Sequence, residues 1–204
     1  MLHRLMMIAC LGLPAHGKPA PQILPPSPTR VAEVWVDGGL GEEGDGSRER
    51  PFTTLAPALA RAEAAGAPLR VHLAPGRYRG PFVLPAGLEL VGGGEATVLQ
   101  GEGEEVVVRA PRGVTLRRLG LEGDGGGLKA GGPVELEAVR FGGQPGRGTG
   151  LFVRGGPLRL EDVTLSGFEY GLQAVEAPVE ARGLAAGDAA RAGVVLLGSR
   201  GRLE

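Results

Sequence analysis

VTLRRLGLEGDGGGLKAGG, residues 114–132, is followed by VELEAVRFGGQPGRGTGLFVRGG at 134–156, LRLEDVTLSGFEYGLQAVE at 158–176 and VEARGLAAGDAARAGVVLL at 179–197. Each copy holds an alternating apolar triplet, a second short strand, a Gly-rich break and another apolar run. Counted instead from that last apolar run, Val106, Leu128, Leu151, Leu172 and Val194 open successive copies at spacings of 22, 23, 21 and 22. Self-similarity at a fixed period determines architecture before any local signal does. It predicts an all-β chain built as a single-stranded parallel β-helix, with about 22 residues and three short strands per coil. Each coil buries its apolar face against its neighbours.

The strands align copy by copy. Val114-Thr-Leu116 matches Val134-Glu-Leu136, Leu158-Arg-Leu160 and Val179-Glu-Ala181. Leu119-Gly-Leu121 matches Val139-Arg-Phe141, Val163-Thr-Leu165 and Leu184-Ala-Ala186. Leucine-rich repeats have an overlapping period of about 20–29 residues, but they carry one strand per unit and an Asn or Cys at a fixed site. This chain contains no Asn and repeats its strand-like triplets three times per unit.

Composition fits that reading. Hydrophobic residues make up 42% of the 204-residue chain and aromatics only 4%, so the core must be built from Val, Leu and Ala. The 38 Gly and 17 Pro punctuate the apolar triplets, as turns require. A net charge of −1 with interspersed signs gives no basic field for nucleic acid, and no nucleic-acid partner is expected.

Upstream, Met1–Arg4, the apolar Leu5–Leu13 and the small Ala15-His16-Gly17 read as a secretory signal over residues 1–17. The run is too short to span a bilayer. The only cysteine, Cys10, lies inside it. A lipobox at Met7–Cys10 is the alternative, but the apolar stretch before it is very short for a signal. Residues 18–30 form a Pro-rich linker. The β-helix domain then covers 31–204, with a cap helix at about 54–65, where Leu55, Ala58, Leu59 and Ala62 share a face, and coils at about 71–204. Thr54 suits the N-cap. The last coil reads as incomplete, because Arg202-Leu203-Glu204 begins a strand and no cap follows. Open solenoid ends invite pairing, so end-to-end self-association is expected.

Three residue groups could carry chemistry. Period-2 alternation puts Thr115, Glu135, Arg159 and Glu180 in one outward column, and Arg117, Glu137, Glu161 and Arg182 in the next. Such columns ordinarily form ladders of exposed charge. As a catalytic face, Glu137 over Glu161 would be like charges one rung apart, flanked by Arg117 and Arg182, and able to raise a carboxylate pKa or share a cation. The loop edge carries Asp124, Gln144, Arg147, Phe168, Glu169, Tyr170, Asp188 and Arg191. Ring, carboxylate and guanidinium together suit a sugar, and Asp124, Arg147, Glu169 and Tyr170 are the candidate ligand-binding residues. Outward Lys129, Phe152 and Gln173 extend that surface. The acidic loop offers Asp37, Glu42, Glu43 and Asp45 as hard oxygen ligands for Ca²⁺, without EF-hand spacing. His72 points outward from its strand and is the only histidine beyond residue 17.

The chain also resembles a known superfamily. Val36-Asp37, Gly46-Ser47, Pro51-Phe52-Thr53-Thr54-Leu55 and Ala58 are similar to the opening of secreted pectate-lyase-like right-handed parallel β-helix proteins. Leu73-Ala-Pro-Gly76-Arg-Tyr78-Arg-Gly80 resembles the turn entering their first full coil, and Leu88–Gly94 the strand and turn that close it. The resemblance implies the same fold. It leaves two functions open: a non-catalytic carbohydrate-associated or envelope protein, or a polysaccharide lyase or glycoside hydrolase acting on an acidic polysaccharide. Where such proteins often carry an Asp-x-Asn loop, this chain has Glu42 and Gly44.

Overall fold

A computed structural model describes residues 31–204. The expected signal segment, the Pro-rich linker and Cys10 lie outside the described residues. The described chain is a parallel β-solenoid with one helix. Its first face is a ladder of Ala32–Val36, Leu69–Leu73, Leu88–Gly92, the opening halves of Val114–Glu122 and Val134–Gly142, then Leu158–Glu161, Val179–Arg182 and Gly201–Leu203. The second face stacks Gly76–Arg79, Thr97–Gln100, the closing halves of the two nine-residue strands, Thr164–Ser166 and Ala185–Gly187. The third stacks Phe82–Val83, Val108–Ala110, Gly126–Gly131, Thr149–Arg154, Tyr170–Val175 and Ala192–Leu197. From Leu69 to Gly201 the first ladder takes six steps across 132 residues, a mean coil of 22.

Strands this short form no sheet alone. Stacked in register about 4.8 Å apart, each satisfies its backbone groups on the coils either side. Alternation then turns every second side chain inward. Leu69, Leu88, Val114, Val134, Leu158 and Val179 form one inward column, and Val71, Leu90, Leu116, Leu136, Leu160 and Ala181 the next. None is more than 5% exposed, so the end residues of these triplets are core positions. Burying each Leu or Val contributes about 1.5–3 kcal/mol. The core therefore needs few aromatics.

The triplet alignment read from sequence matches the register on both the first and second faces. The third-face frame needs one correction. Leu128 pairs with Val108, not Val106, so that column runs Val108, Leu128, Leu151, Leu172, Val194. Val106 instead lies in the loop before the strand, where Val107 is already fully buried. In two coils the first and second strands are continuous, Val114–Glu122 and Val134–Gly142, and not separate.

The corner between those faces is made by one left-handed residue per coil. Arg118, Ala138, Asp162 and Gly183 have φ of 53°, 51°, 52° and 64°. A side chain in this region costs about 1–2 kcal/mol. Ala138 is exposed, so its methyl gains no burial in return. Ala138→Gly is therefore expected to raise unfolding stability by about 0.5–1 kcal/mol, after the entropy of a more flexible unfolded chain is deducted. A denaturant midpoint that falls would contradict the corner geometry.

The helix Leu55–Ala65 covers the first end of the stack with Leu55, Ala58 and Ala62 buried and Leu59 partly so. Gly66 ends it in the left-handed region. Thr54 occupies the N-cap position, but its side chain makes no capping hydrogen bond. The nearby Thr53 hydroxyl instead donates to Glu43. Ala32–Val36, before the helix in sequence, is the first rung and pairs in parallel with Leu69–Leu73. Tyr78 fastens this end. It is 5% exposed, and its hydroxyl donates to the Ala74 carbonyl at 2.9 Å. Burial pushes the Tyr78 phenol above its ordinary pKa. Gly93, in the Gly turn, donates its N–H to the buried Thr97 hydroxyl at 2.9 Å. At the other end, Leu197 and Leu203 are 55% and 51% exposed.

Candidate functional site

The two outward columns of the first face are longer than the repeat alone shows. One runs Glu33, Arg70, Glu89, Thr115, Glu135, Arg159, Glu180, Arg202. The other runs Trp35, His72, Val91, Arg117, Glu137, Glu161, Arg182. The first alternates in sign except at Thr115. Arg117 fills that gap from the adjacent column. Its Nη2 lies 3.1 Å from Glu135, its Nη1 bonds Glu137, and its Nε is 2.9 Å from Glu89. The Nε–H is not aimed at Glu89, so this last contact is an ion pair without a hydrogen bond.

Elsewhere Arg70 pairs with Glu33 and Glu89 at 3.4 and 2.7 Å, Arg159 with Glu180 at 3.5 Å, and Arg182 with Glu204 at 3.2 Å. Hydrogen bonding to Glu89 raises the Arg70 pKa. The expected catalytic group is thus distributed. Glu137 is held by Arg117 and Arg182 is turned to Glu204, while Glu161, on the rung beside Glu137, forms no ion pair among the described residues. The like-charge contact expected between Glu137 and Glu161 is relieved on one side by Arg117. A concavity of about 280 Å³ lies over Glu135, Glu137, Arg159, Glu161, Glu180 and Arg182.

Since Arg117 serves three carboxylates, Arg117→Gln is expected to cost about 1 kcal/mol, more at low salt than at high salt. An equal loss of stability at both ionic strengths would contradict the network.

At the other end of this face, His72 stacks on Trp35 with ring centroids 4.9 Å apart and planes 15° from parallel. Its outward direction agrees with the alternation, and its Nε2 lies 3.6 Å from Glu33 without a hydrogen bond.

The loop edge divides into separate pairs. Phe168 is fully buried and belongs to the core, so it is no binding residue. Glu169 pairs with Arg191 at 2.8 Å, and Arg191 donates to the Tyr170 hydroxyl at 3.3 Å. Tyr170, then Glu169, hold the Arg191 guanidinium more firmly protonated. Arg147 accepts the Glu169 N–H through its backbone carbonyl at 3.0 Å, but its side chain leaves for Glu104 at 3.2 Å. Asp124 lines a different hollow with Gln100, Glu122 and Gly143. Of the four expected ligand-binding residues, Glu169 and Tyr170 share one polar cluster, with Arg191 as the member that links them.

The acidic loop uses its carboxylates singly. Asp37 accepts the Gly39 N–H and Asp45 the Ser47 N–H, each at 2.9 Å, and Asp45 also faces Arg50 at 3.6 Å. The bonds from Ser47 hold the Asp45 carboxyl below its usual pKa. Glu42 is exposed. Among the described residues, no three acid, His or Cys side chains gather as a metal site would require.

The third face differs from the first. Val83, Arg109, Lys129, Phe152, Gln173 and Val195 form one outward row, so Lys129, Phe152 and Gln173 are neighbours as the alternation predicts. Gly131, Arg154, Val175 and Leu197 form the next. Lys129 Nζ sits 5.8 Å from the Phe152 ring centroid. Arg109 and Arg154 give no motif in sequence and were missed there, since only the ladder register brings them beside Lys129. No known protein family matches the chain, and no curated protein matches it.

Proposed function

We propose that this is a secreted, non-catalytic carbohydrate-associated or cell-envelope binding protein, of the pectate-lyase-like type that its opening residues resemble. One observation carries the reading. The charges of the first face are mostly spent on one another in a ladder of ion pairs, whereas the loop edge and third face hold polar and aromatic groups on a rigid stack. Rings that stack on a pyranose face, beside donors and acceptors for hydroxyls, make a sugar surface without a reacting centre. A basic, apolar, small-residue leader at 1–17 supports export.

The test is glycan retention measured beside an ultraviolet assay on pectin and alginate, with and without Ca²⁺. Retention without product is expected, and Tyr170→Ala with Arg191→Ala should weaken it. Calcium-dependent release of unsaturated product would overturn the non-catalytic reading.

The concavity over Glu137 and Glu161 favours a second reading, a lyase or glycoside hydrolase on acidic polysaccharide. Carboxylates on adjacent rungs fall near the about 5–5.5 Å separation of retaining glycosidases. On that reading Glu161→Gln abolishes turnover, while on ours it leaves retention unchanged.

A further inference from the structure

The first face is open on both sides. From Leu69 on, no connection into or out of its strands exceeds four residues. The longer loops, 101–107 and 143–148, lie between the second and third faces. Nothing overhangs the two outward columns, so a flat partner can reach them.

The order of charge along the first column says what that partner is. Its signs alternate rung by rung, with Thr115 the one neutral member. A polymer of one sign would be repelled at every second rung. The complement is another face that alternates at the same spacing of about 4.8 Å. This chain supplies one when it is reversed. With a two-fold axis between the Thr115 and Glu135 rungs, Glu33 faces Arg202 of a second copy, Arg70 faces Glu180, Glu89 faces Arg159 and Thr115 faces Glu135. No carboxylate meets a carboxylate, and no guanidinium meets a guanidinium. The second column agrees, since Arg117 then faces Glu137 and Glu161 faces the apolar Val91. Turned about the solenoid axis instead, the columns would exchange, and Glu135 would face Glu137.

We propose that the first face pairs with the first face of a second copy of this chain, antiparallel, about that two-fold axis. Such a contact is isologous. The ion pairs within each chain run from rung to rung and leave Arg159 and Glu180 72% exposed, so their outer sides remain open to a partner. Seven steps of about 4.8 Å and a triplet about 10 Å wide, with its flanking side chains, cover roughly 500 Å² per copy. That is the size of a transient interface and not of an obligate one. Specificity comes from the charge order, which penalises like charges in any other alignment. The pairing would also cover the concavity over Glu137 and Glu161.

The experiment measures self-association of the chain carrying Cys10→Ser by sedimentation. A monomer–dimer equilibrium is expected, weakened at least about tenfold from low to high salt. Glu89→Arg sets guanidinium on guanidinium at the Arg159 contact, and Arg159→Glu sets carboxylate on carboxylate. Each should weaken the dimer at least about tenfold. An equimolar mixture of the two should recover it to within about twofold of the unsubstituted chain, because the mixed dimer has opposite charges at both contacts. Circular dichroism checks that both variants fold. A second measurement reverses no charge. A single spin label at Thr115→Cys, beside the axis, should lie about 10–15 Å from its counterpart, and one at Arg202→Cys about 35 Å away, seven rungs along.

A monomer at up to about 1 mM in low salt would overturn the inference. So would a dimer indifferent to salt, or a mixture no stronger than its components. A short distance at Arg202→Cys would mark end-to-end contact and overturn it too. None of these outcomes bears on the carbohydrate reading, whose residues lie on the loop edge and third face.

Discussion

Phe168→Ala is expected to lower unfolding stability by about 3–5 kcal/mol, the cost of removing a fully buried aromatic ring. Phe168 is completely buried and among the largest such side chains. Its ring fills a volume that two glycines leave open. A methyl group built on Gly143 would lie 2.4 Å from Phe168 Cε1, and one on Gly150 2.9 Å from Cδ2. The same residue carries the backbone link to the next coil, since the Ala190 N–H donates to its carbonyl at 2.9 Å. Urea unfolding of the variant measures the loss. A change below about 1 kcal/mol would mean that the ring is not where the fold places it.

The second large effect concerns the glycines themselves. Gly127, Gly150, Gly171 and Gly193 occupy equivalent positions in four third-face strands, one rung apart. A methyl on Gly127 would meet Phe141 Cδ1 at 2.3 Å and the Gly150 carbonyl oxygen at 2.5 Å. Neither can yield easily: Phe141 is fully buried, and the oxygen belongs to a paired strand. Gly127→Ala is therefore expected to cost about 3 kcal/mol, the upper end for overpacking. The column supplies its own control. At Gly193 the nearest atoms are Ala186 O and Cβ at 3.2 and 3.4 Å. Gly193→Ala should cost under about 1 kcal/mol. Equal losses at the two sites would argue for a backbone effect and against ring packing.

These glycines mark where sequence reading ran short. In the linear chain Gly125-Gly126-Gly127 looks like one turn. Gly127 is in fact a strand residue whose missing side chain makes room for a ring contributed by the face before it. The inward triplets were legible because alternation alone sorts Val and Leu from Glu and Arg. The Val106 frame slipped by two residues for the same reason in reverse: Val106, Val107 and Val108 are all apolar, and only pairing with Leu128 selects among them. Columns spanning the cap were also hidden. Trp35 reaches His72 because helix Leu55–Ala65 and its loops bulge out between two neighbouring rungs. Arg117 could be placed outward from sequence, but its reach to Glu89 depends on Thr115 being too short to fill its own column. The loop edge was legible as a location and not as a constellation. Glu104 draws Arg147 away, and no period predicts where an irregular loop returns.

Every column, corner and charged row above depends on the in-register stack. The direct test is a distance between spin labels at Glu33→Cys and Glu180→Cys, in a chain with Cys10→Ser. Both positions are exposed and lie on the same outward column, six rungs apart. The stack predicts one narrow distribution centred near about 29 Å, six steps of ~4.8 Å. A broad distribution, or a centre displaced by two rungs or more, would contradict it.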